Sequence, residues 1–142
     1  MSQSNKPNIV FWILSIVALV WNIMGVLNYI GQAFITDDLK ALLPENQRLY
    51  MESVPAWATA AFAFAVFAGV LGSLLLLLRK KIAKTFFIIS LLGVLVQMTH
   101  GFMSEIKDVY GLGGIAMPIL IIGFAVFLVW YSRLVDSKGW LS

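Results

Sequence analysis

The stretch "PAWATAAFAFAVFAGVLGSLLLLLRKK", Pro55 to Lys81, decides the fold. From Pro55 to Leu78 no side chain is charged, and three basic residues then follow at once. A helix needs roughly 20 mainly apolar residues to cross the hydrocarbon core of a bilayer. This stretch supplies them, and Arg79-Lys80-Lys81 marks where the chain leaves. Three further stretches read the same way, so spans are expected at about 9–35, 55–78, 82–103 and 115–132. The fold class is therefore all-α, an integral membrane four-helix transmembrane bundle forming one domain over residues 1–142.

Composition agrees. The chain is 61% hydrophobic and 12% charged, with a mean hydropathy of +0.91. A soluble domain is about half apolar and about a quarter charged, and a chain of 142 residues cannot hide this surplus in one water-exposed core. With no cysteine, disulfides, thiol catalysis and thiolate metal sites are excluded. The first apolar run is too long for the core of a secretory signal and lacks a convincing cleavage site, so it reads as retained.

Basic residues cluster at the ends of the spans, which points to topology and not to nucleic acid. Lys6, Arg79, Lys80, Lys81, Lys84, Arg133 and Lys138, seven of the ten, fall on one side. The other side takes Lys40, Arg48 and Lys107 with six of the seven acids, Asp37, Asp38, Glu45, Glu52, Glu105 and Asp108. The positive-inside rule then places both termini in the cytoplasm. The loop from Thr36 to Val54 is expected to hold a short interfacial helix with Pro44 at its first position. Trp12, Trp57, Tyr110, Trp130, Tyr131 and Trp140 fall near span boundaries, where amphipathic rings prefer to sit.

Polar and small residues mark the buried faces. Ser15, Ala18, Asn22, Gly25, Tyr29 and Gln32 recur at steps of three and four on the first span. Ser90, Gly93, Gln97, His100 and Ser104 do so on the third. The second span carries a helix-packing row, Ala61, Ala65, Gly69 and Ser73, of the kind that lets helices approach closely. If the first and third stripes face each other, Asn22 meets Gln97 and Tyr29 meets His100. The expected site is thus an outward-facing polar pocket of Asn22, Tyr29, Gln32, Gln97 and His100, without fixed charge. Pro118 and the glycines at 111, 113 and 114 would give the backbone freedom beside it. A weaker pattern, with "FAVF" at Phe64–Phe67 and again at Phe124–Phe127, suggests two duplicated hairpins.

The blocks "WNIMGVLNY" (Trp21–Tyr29) and Pro55–Met98 resemble a group of small bacterial four-span proteins that automatic naming labels "sugar transporter" or leaves without a function. The resemblance covers roughly two thirds of the chain. It implies a multi-pass protein of the bacterial inner (cytoplasmic) membrane, and it transfers no binding or catalytic residue.

Two functions stand side by side. One is binding or permeation of a small neutral polar solute, in an oligomer. The alternative is a structural or accessory subunit of a larger membrane complex, with the small-residue row and the long loop as its contact surfaces. Expected partners are the lipid bilayer, a small polar solute, and a second copy or another membrane protein; nucleic acid is not expected. No motif points to an enzyme, a cofactor or a metal, and one histidine is too little to ligate one. A structural role for His100, hydrogen-bonded to Tyr29 or to a backbone carbonyl, competes with its place in the pocket.

Overall fold

The computed structural model describes residues 6–103 and 113–142. Its elements are α1 (Ile9–Ala33), α2 (Asp37–Ala41), α3 (Glu45–Ser53), α4 (Ala56–Leu77), α5 (Ala83–Met103) and α6 (Gly113–Ser137). There is no strand among the described residues, and α1, α4, α5 and α6 are each long and apolar enough to cross a membrane. Ser104, Glu105, Lys107, Asp108, Tyr110 and Gly111 lie outside the described residues.

The helices start where local chemistry allows. Asn8 caps α1 by accepting from the Phe11 N–H at 2.9 Å, and Thr36 caps α2 by accepting from Leu39. The loop between α1 and α4 thus holds two short helices where one was expected. Pro44 is the N-cap of α3 and not its first residue, and its carbonyl accepts from the Arg48 N–H. The fourth helix runs five residues beyond its expected end, to Ser137, and carries Arg133 and Asp136 on its last turns.

Close backbone packing joins α1 to α4, α4 to α5, and α5 to α6. Small residues make it close. A Cβ on Gly93 of α5 would stand 2.9 Å from the Ala61 carbonyl oxygen and the Ala65 nitrogen of α4. Beside it, the Ser90 hydroxyl donates to the Ala65 carbonyl at 2.6 Å. Ala61, Ala65, Gly69 and Ser73 are all buried inside the chain, so this row is not a surface for a partner.

Helices α1 and α6 meet differently, through rings. Trp140, Phe11, Tyr131, Phe127, Phe124 and Trp21 form a ladder with successive centroids 5.8, 6.5, 5.7, 6.2 and 4.8 Å apart. Tyr131 and Trp140, expected in a headgroup belt, are buried in this seam, whereas Trp57 and Trp130 are exposed. The "FAVF" duplication finds no matching environment. Phe64 and Phe67 face outward, while Phe124 and Phe127 are half-buried in the ladder.

The start of α1, the α4–α5 turn and the C-terminal residues share one end of the bundle. Helix α4 stops in a Schellman motif, with Lys80 N–H bonded to the Leu75 carbonyl and Arg79 in the left-handed region at φ 60°. Helix α6 stops the same way, with Trp140 N–H bonded to the Val135 carbonyl and Gly139 at φ 77°. The two exits then pair, Ser142 N–H to Arg79 O at 2.8 Å and Lys81 N–H to Ser142 O at 3.0 Å. Arg79 Nε donates to the Trp140 carbonyl, Lys84 pairs with Asp136, and Lys81 stands 3.7 Å from the same carboxylate.

Candidate functional site

A cavity of about 220 Å³ lies among the four long helices. Helix α1 contributes Trp21, Asn22, Met24, Gly25 and Asn28, and α4 contributes Phe62, Ala65 and Val66. Helix α5 adds Phe87, Ser90, Val94 and Gln97, and α6 adds Ile121, Phe124, Ala125 and Leu128. No described residue in this wall is ionisable.

The cavity has a floor. Phe87 and Leu128 belong both to its wall and to a buried cluster with Phe11, Leu76, Tyr131, Val135, Trp140 and Leu141. That cluster fills the basic end of the bundle, so the space ends blindly there. Toward the other end, Asn28 and Met24 are exposed and Gln97 is half-buried.

Asn22 and Gln97 are the two expected site residues that line one space. They do not bond to each other. Asn22 donates from Nδ2 to the Ala18 carbonyl at 2.8 Å and to the Ser73 hydroxyl at 3.3 Å. Ser73 in turn donates to the Gly69 carbonyl at 2.8 Å. Tyr29 packs edge-on against Phe62 and Phe67, with centroids 5.6 and 5.9 Å away. Gln32 is exposed. His100 stands edge-on to Trp57, at 6.0 Å.

The expected pairs of Asn22 with Gln97 and Tyr29 with His100 are therefore replaced. The cause is rotation of α1. Its stripe of Asn22 and Tyr29 faces α4, the helix it packs against, and not α5 across the bundle. The face turned toward the cavity carries Trp21, Gly25 and Asn28. At 3.6 residues per turn, Trp21 and Asn28 lie about 100–120° around the helix from Asn22.

Sequence reasoning missed Trp21, Asn28 and Ser90 as cavity residues, although Ser90 lay on a named stripe. Trp21 and Asn28 did carry a signal, being a tryptophan in mid-span and a second asparagine six residues beyond the first. Neither Asn28 nor Gln97 makes a side-chain hydrogen bond among the described residues, and the Trp21 indole N–H has no acceptor there. Asn22 and Ser90, by contrast, spend their donors on protein carbonyls and a hydroxyl.

What this arrangement can do is bind. It offers aromatic and aliphatic walls, two uncommitted amides and an indole donor, but no group suited to proton transfer or nucleophilic attack. Among the described residues no three histidine, aspartate or glutamate side chains gather as a metal site would require. The chain matches no family model, no curated protein and no solved structure.

Proposed function

We propose that the protein is a multi-pass protein of the bacterial inner membrane that binds a small uncharged ligand in this cavity, in the half of the bundle nearer the outer side. One observation carries the reading. An intramembrane cavity holds two side-chain amides, Asn28 and Gln97, with no protein partner among the described residues. Polar groups inside a bundle ordinarily hydrogen-bond to a neighbouring helix, so the half-buried Gln97 amide, left over beside an empty space with the exposed Asn28 at its mouth, suits a ligand. The charge bias supports the orientation, since the sealed floor lies at the basic end. That seal also favours holding a ligand over conducting one. A single chain supplies all the walls named above, and no second copy is required. The accessory-subunit alternative loses the small-residue row as its contact surface, because that row is spent on α1 and α5.

Thermal unfolding of the purified protein against neutral ligands tests the proposal. A ligand at about one hundred times its dissociation constant stabilises by about 2.7 kcal/mol. The stabilisation should be saturable and should shrink in Gln97→Ala. A stabilisation untouched by that change would remove this cavity as the site.

A further inference from the structure

We infer that the ligand is a lipophile with a short apolar body and one or two hydroxyl or carbonyl groups, and that it enters sideways between α1 and α6. This rests on the proposal that the cavity is a binding site. The sequence alone pointed to a small neutral polar solute, but the wall is too apolar for a hydroxyl-rich one. A polyol would need a partner for each hydroxyl. The uncommitted groups are the Asn28 and Gln97 amides and the Trp21 indole N–H, whereas Asn22 and Ser90 have already spent their donors. One or two polar atoms can be served, and a ring of hydroxyls cannot.

The vertical order of the wall fits an amphipathic shape. Asn28 lies about 29 Å along α1, whose whole length is about 37 Å, close to where a hydrocarbon layer of roughly 30 Å gives way to headgroups. Phe87 and Leu128 close the opposite end of the cavity. A molecule with its polar atoms at Asn28 and its apolar body toward Phe87 would match both. A charged headgroup would meet no counter-charge in the described wall.

The route follows from how the helices pack. The pairs α1–α4, α4–α5 and α5–α6 are joined by close backbone packing, but α1 and α6 are joined by rings. Trp21 on Phe124 is the upper rung of that ladder. Alongside it Met24, 56% exposed, belongs at once to the outer surface and to the cavity wall. Rings and a methionine can change rotamer without moving a helix, and methionine adapts readily to varied contacts. A lipid-side entrance at Met24 therefore needs only side-chain motion.

The test uses the full chain in liposomes with a diazirine-bearing octanol as the photolabel. Labelling should saturate and should concentrate on peptides holding Met24–Asn28 and Ile121–Ala125. Excess octanol should abolish it, while sorbitol and octyl sulfate should not. Gln97→Leu keeps the volume but loses the amide, and should weaken labelling about threefold to tenfold, as expected for one hydrogen bond. Ala125→Phe should block it, and Gln97→Leu keeps the test decisive where that larger change prevents folding. Sorbitol that stabilises and competes, with octanol doing neither, would overturn the inference and leave the binding site standing. Unsaturable labelling spread over the lipid-facing surface, with no stabilisation by either compound, would overturn both.

Discussion

Gly69 sits under the Asn22 side chain so closely that a Cβ there would lie 2.0 Å from Oδ1. A methyl group must push Asn22 away, and with it the bonds to the Ala18 carbonyl and the Ser73 hydroxyl. Gly69→Ala should therefore destabilise by roughly 1–3 kcal/mol, the usual cost of overpacking. Gly31, in the last turn of α1, offers a control because nothing lies within 4 Å of its added Cβ. There alanine should stabilise the helix by about 0.5–1 kcal/mol through lost backbone freedom in the unfolded chain. Denaturant unfolding of both variants in one detergent checks the pair, and equal effects would show that Asn22 is not held by that contact. The sequence row of Ala61, Ala65, Gly69 and Ser73 announced close approach at this point. What it could not announce was the partner, since α1 and α5 both offer a polar stripe and spacing within one helix says nothing of rotation about its neighbour.

At the scale of elements, the pairing of the two Schellman exits makes the C-terminal residues part of the floor. Trp140 and Leu141 are buried against Phe11 and Val135, and Ser142 bonds to the α4–α5 turn from both its N–H and its carbonyl. Trp140→Ala should cost about 3 kcal/mol, as for other buried aromatic side chains. It should also expose the last residues to carboxypeptidase. Unchanged stability with an uncleaved tail would mean that the backbone pairing alone holds the end. The helices themselves were legible because charge and apolar length mark them directly. The latch was not, because Gly139 at a helix end signals a left-handed exit, but Arg79 does not, and two exits that pair across 61 residues leave no local pattern. For the same reason Trp140 reads from sequence as a headgroup anchor. Its ring is the type found at membrane interfaces, and only the fold shows that Phe11 has claimed it.

For the whole molecule, shared ends and charge bias make separate statements that one experiment joins. Contacts of Phe11 with Trp140, and of Arg79 with Trp140, put the start of α1, the C-terminal residues and the α4–α5 turn at one end. The basic residues Arg79, Lys80, Lys81, Lys84 and Lys138 lie at that end, and the positive-inside rule predicts that it faces the cytoplasm. Because the chain has no cysteine, single substitutions report position without a background. Asn46→Cys in α3 and Lys138→Cys after α6 are both exposed positions. In intact cells a membrane-impermeant maleimide should label Asn46→Cys at once, and Lys138→Cys only after permeabilisation. The reverse pattern would place the sealed floor outside, so that the cavity and its lateral entrance would lie in the cytoplasmic half of the membrane. Labelling of both sites in intact cells would break the shared-end arrangement itself, and with it the floor that makes this cavity a pocket and not a passage.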